Sequence, residues 1–103
     1  LVGMAGLVRE GGRKSRHKAF MWGMYVAPEA RQQGVGKLLV QDLLHRAALV
    51  PGLEIVQLAV VTTQPAARRL YISLGFQVYG LEPHALKDGD HYADEELMLV
   101  SLA

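Results

Sequence analysis

The residues with the clearest chemical potential form a short loop, Arg31-Gln32-Gln33-Gly34-Val35-Gly36. The loop follows an apolar segment of strand length and precedes a segment with helical periodicity. Glycines at such a junction let the backbone approach a ligand closely. The unpaired N–H groups of a helix's first turn, at the positive end of its dipole, attract anions. The pattern therefore predicts an anion site suited to a pyrophosphate. Arg31 and Lys37 are further sources of positive charge there, or alternatively solvated side chains.

Two other phosphate-binding motifs are excluded by single positions of this loop. The dinucleotide fingerprint requires a third glycine where the chain has Leu39, and the P-loop requires glycine at position 31 and serine or threonine at position 38. The chain has Arg31 and Leu38 there. By itself, however, a Gly-x-Gly pair is also compatible with a tight strand-to-helix turn that binds nothing.

A second concentration of charge is the run Arg13-Lys14-Ser15-Arg16-His17-Lys18. Nucleic acid, an acidic acceptor or a ribose phosphate are the ligands that such a run would suit. It precedes the strand whose far end leads to the glycine loop, on the order of 30 Å away. We therefore expect a solvated hairpin tip. His84 and His91, near Asp88 and Asp90, are explained by a charged turn, and we expect no metal site.

Composition limits what the chain can be. Its 103 residues have room for one core, so we expect residues 1–103 to form one domain. Without cysteine there is no disulfide, thiolate zinc site or cysteine nucleophile, and the cytoplasm is the default compartment. No apolar run approaches the ~18–20 residues of a membrane span, and residues 1–8 lack the basic flank of a signal peptide. A net charge of +1 gives no indication of nucleic acid, so we expect neither a nucleic-acid nor a membrane partner.

The elements that must position the loop follow from the spacing of apolar residues. Leu1–Arg9 and Ala19–Val26 are apolar runs of strand length. From Gly34 to Val50 apolar side chains recur at spacings of three and four, as in an amphipathic helix, before Pro51-Gly52. Leu53–Val61 has the β-branched composition of a buried strand.

The second half of the chain predicts a helix and a hairpin. Pro65 suits the first turn of a helix, and Gly75 closes that helix as a C-terminal cap. Residues 76–87 and 90–102 are predicted strands around Asp88-Gly89, a favoured two-residue hairpin turn. The expected order is β-β-α-β-α-β-β, a mixed α/β (α+β) fold.

Two segments together resemble the GNAT superfamily of N-acetyltransferases. Met24 to Leu39, which contains Val26-Ala27-Pro28 and the glycine loop, is similar to that family's acetyl-CoA motif, a strand ending in Val-x-Pro followed by Arg/Gln-x-x-Gly-x-Gly/Ala. Ala67-Arg68-Arg69-Leu70-Tyr71-Ile72-Ser73-Leu74-Gly75-Phe76 is similar to its Ala-x-x-Leu-Tyr-x-x-x-Gly-Phe signature. Each motif alone is a weak signal, but both in order on this scaffold are specific.

The resemblance implies that acetyl-CoA is bound as a co-substrate in a cleft where two strands splay apart. Backbone N–H groups of about residues 32–37 would hold its pyrophosphate, and Met24 and Val26 would offer backbone groups to the pantetheine arm. The implied cofactor-binding residues are Met24, Tyr25, Val26, Arg31, Gln32, Gln33, Gly34, Val35, Gly36, Lys37 and Gln64. Gln64 departs from the family's usual asparagine and is too long to cap a helix easily, so Thr63 is the alternative cap.

Tyr71 is the implied catalytic residue, because in many family members this tyrosine hydrogen-bonds the departing sulfur and protonates it. A phenol of pKa ~10 is able to donate to a thiolate whose acid has a pKa of ~8.5. The alternative interpretation is an aromatic that packs with Leu70 and Leu74. For the general base, Glu10, His17, Glu54 and a chain of water molecules stay open.

The resemblance also implies a longer domain, with two strands and two helices ahead of residues 1–9. We therefore expect an uncovered strand edge that a homodimer or a further segment would cover. The first functional expectation is acetyl transfer to a primary amine of a small molecule by direct attack in a ternary complex. The alternatives are a protein N-terminal or lysine acetyltransferase and a domain that binds acyl-CoA without turning it over.

Overall fold

The computed structural model describes residues 3–26 and 34–102 of the chain. In this part, five strands and two helices follow one another as β-β-α-β-α-β-β, which confirms the predicted order and the mixed α/β class. The strands are β1 (Gly3–Arg9), β2 (Lys18–Val26), β3 (Ile55–Val61), β4 (Gln77–Asp88) and β5 (His91–Ser101), and the helices are α1 (Val35–Ala47) and α2 (Pro65–Ser73).

All five strands belong to one sheet with the order β1-β2-β3-β5-β4. The chain also divides into two compact units, Leu1–Val56 with Ser101–Ala103 and Gln57–Val100, which we call the first and second units. That residues 1–103 behave as one domain stays a prediction.

The first unit is built on the antiparallel β1–β2 hairpin, whose register runs from Gly3↔Val26 to Arg9↔Ala19 with a shift between Met4 and Gly6. Side chains alternate across β2, as the strand period requires. Ala19 and Met21 are buried, while Phe20 and Trp22 on the other face are exposed. The first half of the run that reads as continuously apolar in the sequence, residues 19–22, is therefore buried on one face only.

Helix α1 packs against β1 and β2 in the first unit and buries Val40 and Ala47. It ends three residues before the predicted limit at Val50. The N–H groups of Leu49 and Val50 donate to the carbonyls of Arg46 and Ala47, which tightens the chain into turns. Proline disfavours helical geometry in the residue before it, so Pro51 explains why the helix cannot continue to Val50.

The start of β3 is joined to the residue just before β2 within the first unit. The carbonyl of His17 accepts hydrogen bonds from the N–H groups of Glu54 and Ile55, at 2.8 and 3.1 Å. The carbonyl of Glu54 accepts from Leu102. The strand begins at Ile55 rather than at the predicted Leu53, because Leu53 still donates to Val50 in the preceding turn.

The second unit contains the rest of β3, helix α2 and the β4–β5 hairpin. Its buried side chains include Leu58, Val60, Tyr71, Phe76 and Met98. The hairpin turn lies one residue later than predicted: Asp88 pairs with His91, so Gly89 and Asp90 occupy the turn. Gly89 has a φ of +61°, a left-handed conformation that glycine adopts without strain. It is the first residue of the turn, whereas the sequence predicted it as the second.

Across residues 3–26 and 34–102, no helix combines the length and apolar character needed to cross a membrane.

Candidate functional site

The start of α1 lies at Gly34, whose backbone is left-handed with φ 78° and ψ 7°. Its carbonyl accepts the N–H of Leu38 at 3.0 Å, which is the first hydrogen bond of the helix. The N–H groups of Val35, Gly36 and Lys37 precede that bond and have no partner inside the helix. Gly34 provides no side-chain cap, and the first turn of α1 contains no acidic residue.

This helix start has the chemistry that an anionic ligand requires. Three N–H groups and the positive end of the dipole converge where no carboxylate of the first turn competes. A Cβ added at Gly34 would meet nothing within 4 Å among the described residues. The geometry of Gly34 thus fits the predicted pyrophosphate site.

The other predicted cofactor residues on this side are described only in part. Met24, Tyr25 and Val26 are the last residues of β2, and Tyr25 and Val26 pair with Met4 and Gly3 across the hairpin. Lys37 is exposed in the first turn of α1. Arg31, Gln32 and Gln33 lie outside the described residues.

Gln64 occupies the N-cap position of α2 in the second unit, with φ −118° and ψ 72°. Its carbonyl accepts the N–H of Arg68 at 3.1 Å, but its side chain makes no capping hydrogen bond. This confirms that glutamine does not cap in the way asparagine would. The alternative cap, Thr63, is wrong, because the helix begins one residue later. Any contact of Gln64 with a cofactor stays a prediction.

Tyr71 lies near the C-terminal end of α2 and is 6% exposed. Its ring meets that of Phe76 edge-on, with centroids 5.7 Å apart and planes at 68°. Packing against Phe76 therefore accounts for the ring, and the contacts with Leu70 and Leu74 stay a prediction.

A Schellman motif closes α2 and brings Tyr71 and Phe76 together. The N–H of Phe76 donates to the carbonyl of Tyr71, and the N–H of Gly75 donates to that of Ile72, both at 3.1 Å. Gly75 has a φ of +97°, the left-handed position that this motif assigns to glycine. The predicted C-terminal glycine cap is confirmed, and its ring contact is the hydrophobic closure that accompanies such caps.

Burial raises the pKa of the Tyr71 phenol above its ordinary value, because the ionised form loses hydration. The hydroxyl therefore keeps its proton throughout the neutral range. A group that must donate a proton has to hold one at the working pH, so the environment of Tyr71 suits an acid.

The candidates for the general base lie together at the far end of β2. Glu10 donates its N–H to the carbonyl of Lys18, and His17 accepts from Glu54. Nine residues of strand separate His17 from Val26, on the order of 30 Å. The two carboxylates, of Glu10 and Glu54, and the imidazole of His17 are therefore all distant from the glycine-loop end of this strand.

Comparison with known proteins identifies the family. The model of the acetyltransferase (GNAT) family matches residues 1–76, which include both motifs. The chain belongs to this family. No curated protein matches it.

Solved structures of GNAT proteins share the fold at low sequence identity. A GNAT-family acetyltransferase of Streptococcus pneumoniae is 22% identical with a TM-score of 0.91, over 99% of this chain and 60% of that one. A phosphinothricin acetyltransferase of Sinorhizobium meliloti, solved with acetyl-CoA, is 23% identical with a TM-score of 0.88, over 99% and 55%. A ribosomal-protein-alanine N-acetyltransferase of Brucella melitensis is 23% identical with a TM-score of 0.87, over 97% and 61%. Our GNAT chain thus spans somewhat more than half the length of these proteins.

The structure divides the predicted site residues between the two units. The start of α1 belongs to the first unit and Tyr71 to the second; that they act in one site stays a prediction. Sequence reasoning missed the contact of Arg68 with Glu96, at 2.7 Å. The two residues are 28 positions apart, and no periodic pattern relates a helix to a strand so distant in the sequence.

Proposed function

We propose that the chain is the cofactor-binding part of an acetyl-CoA-dependent N-acetyltransferase that acetylates a primary amine of a small molecule. The supporting observation is the start of α1. Left-handed Gly34 opens the helix, the next three N–H groups have no partner inside the helix, and the first turn contains no acidic residue. This start lies at the position of the family's pyrophosphate motif. Acetyl-CoA, when bound there, supplies the acetyl thioester.

Tyr71 is the proposed acid of this reaction. The amine attacks as a neutral base and forms the C–N bond, and the C–S bond breaks with its electron pair on sulfur. The Tyr71 hydroxyl, which burial keeps protonated, donates a proton to that sulfur. The nitrogen gives up a proton as it becomes the amide, and through water this proton returns Tyr71 to its protonated form. A protonated alkyl amine has a pKa of about 10.4, so one proton must leave the acceptor first. For this step we propose water, with Glu10, His17 and Glu54 as the alternatives.

The decisive experiment measures release of free coenzyme A from acetyl-CoA with a panel of acceptors. The panel contains small primary amines, amino acids, lysine peptides and peptides with free N-termini. We expect turnover with at least one small amine at a rate well above that without acceptor. A protein that binds acetyl-CoA by calorimetry but releases no coenzyme A with any acceptor would be the non-catalytic binding domain instead.

A second candidate is acetylation of a protein N-terminus. One structural relative is a ribosomal-protein-alanine N-acetyltransferase, so this fold also accommodates peptide acceptors. The same panel separates the two functions, because a protein acetyltransferase would prefer the peptides by kcat/KM. A cytoplasmic location stays a prediction that rests on the cysteine-free sequence.

A further inference from the structure

An ion pair joins α2 to β5 in the second unit. The Nε of Arg68 lies 2.7 Å from Oε1 of Glu96. The side chain of Glu96 is 18% exposed and that of Arg68 is 45% exposed, so the pair is partly withdrawn from solvent. At this length it is a charge-assisted hydrogen bond, which is the stronger and more directional class.

The pair lies on the side of α2 that carries Tyr71. Arg68 precedes Tyr71 by three residues, and side chains at this spacing are neighbours on a helix surface. Glu96 precedes the fully buried Met98 by two residues, so both side chains lie on the same face of β5. The ion pair thus fixes which side of α2 is turned toward β5.

Two attachments therefore hold the nine-residue helix α2, one on each side of Tyr71. Arg68 is bonded to Glu96 toward the beginning of the helix. At the other end, the Schellman motif fixes the last turn to Phe76, which is buried directly before β4. A short helix held at two points is not free to rotate about its axis, and that rotation determines where the hydroxyl of Tyr71 lies.

Stability alone does not account for the pair. An ion pair with a half-exposed arginine contributes little to the free energy of folding. Proton transfer is far more sensitive to geometry, because a reacting group displaced by about 1 Å loses on the order of 100-fold in rate. The directional contact between Arg68 and Glu96 therefore has its largest effect on the position of the neighbouring Tyr71.

We propose that Arg68 and Glu96 are positioning residues that set the rotation of α2 and thereby place the Tyr71 hydroxyl for proton transfer. The inference rests on the proposed role of Tyr71. It assigns the pair no contact with either substrate. Arg68 is the first of the two variable positions in the Ala-x-x-Leu-Tyr signature. The signature assigns no function to those positions.

The test uses three variants and one control. Arg68→Gln and Glu96→Gln each break the pair, and the exchange R68E/E96R restores it with the charges reversed. Arg69→Gln is the control, because Arg69 is the adjacent exposed arginine and has no ion-pair partner in the part of the chain that the structure describes. Each variant is assayed for coenzyme A release and for acetyl-CoA affinity. The position of Tyr71 is followed by the NMR signal of its ¹³Cζ-labelled phenol, assigned with Tyr71→Phe.

We expect Arg68→Gln and Glu96→Gln to lower kcat in the same direction, by about 3- to 10-fold, with the KM for acetyl-CoA nearly unchanged. Both should displace the Tyr71 signal, and the exchange should bring kcat and signal back toward the parent. Arg69→Gln should change neither. If the two charges instead acted on Tyr71 directly through their electric field, the two variants would shift the ionisation of the phenol in opposite directions. One variant removes a positive charge and the other removes a negative charge.

The proposal is overturned if the Tyr71 signal stays in place in both single variants, or if their shifts of ionisation are opposite in sign. Earlier unfolding with unchanged kcat would likewise mean that the pair only tethers the helix. Should a single variant fail to fold, the exchange decides: a restored signal supports positioning, and a folded exchange with a displaced signal refutes it. If the parent turns over no acceptor, the function proposed above fails, while the Tyr71 signal still tests the placement of the hydroxyl.

Discussion

At the scale of single residues, Gly34 combines a conformation and a surface that a side chain would disturb. Its φ of 78° is left-handed, and the space at its Cβ position is open among the described residues. Gly34→Asp would place a carboxylate against the proposed phosphate position at the start of α1. We expect acetyl-CoA binding to be abolished, as measured by isothermal calorimetry.

The control for that substitution is Gly89→Asp in the β4–β5 turn. Gly89 also has a positive φ, of 61°, and its Cβ position is equally open, so the backbone strain is matched. This variant should lose similar stability and keep its acetyl-CoA affinity. Unchanged affinity in Gly34→Asp would refute the assignment of the cofactor to α1.

Tyr71→Phe removes the phenolic oxygen and retains the ring that packs edge-on with Phe76. With an accepted amine as substrate, we expect kcat to fall on the order of 100-fold, the lower end for a general acid. Acetyl-CoA affinity should be nearly intact, because the loss falls on the leaving group. Tyr92→Phe, at an exposed tyrosine, should leave kcat unchanged. A variant with parental kcat that unfolds earlier would support packing alone.

The same phenol predicts how stability depends on alkaline pH. Burial raises the pKa of Tyr71 in the folded state, so the unfolded chain loses this proton at a lower pH. The contribution of the protonated Tyr71 to the free energy of unfolding is complete below a pH of about 10. It is lost as the pH rises through the folded-state pKa. In urea titrations at increasing pH, Tyr71→Phe should show a shallower loss of unfolding free energy than the parent. Tyr92→Phe should not, and equal slopes for both would contradict the prediction.

At the scale of elements, the end of α2 depends on the geometry of Gly75. Its φ of +97° lies where a residue with a Cβ is strained, although the nearest atom to that Cβ, on Val100, would be 3.7 Å away. Gly75→Ala should therefore destabilise the protein by more than about 1 kcal/mol through backbone strain. Chemical denaturation measures this, with Gly11→Ala as control because Gly11 has open space and no positive φ. Equal losses for both variants would show that the Schellman closure is unimportant.

Sequence patterns predicted these elements well where local chemistry determines them. Pro65 and Gly75 mark the ends of α2, and apolar spacing marks the body of α1. The end of α1 and the hairpin turn were each misplaced, by three residues and one residue, because hydrogen bonds such as those of Leu49 and Val50 decide them. The glycine start of α1 was also predicted. The Arg68–Glu96 pair was not predicted, because it joins residues 28 positions apart. The contact of Tyr71 with Phe76 was also missed, although the predicted glycine cap brings the two rings together.

At the scale of the whole molecule, one face of the β1–β2 hairpin is apolar and exposed. Val8, Phe20 and Trp22 are 58, 39 and 43% exposed, and β1 forms an edge of the sheet. Exposed edges and apolar faces promote association. We expect the chain as given to self-associate at micromolar concentration in sedimentation experiments, and Phe20→Lys to weaken that association. Leu49→Lys, at an exposed leucine that follows α1 and lies outside this hairpin, should not. A stable monomer of 11.3 kDa would contradict this prediction.

The Schellman closure of α2 changes how the Leu-Tyr-x-x-x-Gly-Phe signature should be used to annotate other chains. Glycine and the two rings are accounted for by the way the helix ends, so a relative that has lost catalysis would still need them in order to fold. A phenylalanine in place of Tyr71 would preserve that ending equally well. A genome survey that scores the whole signature therefore measures whether a chain is able to end this helix. The phenolic oxygen is the part of the signature that distinguishes chains equipped to protonate a thiolate.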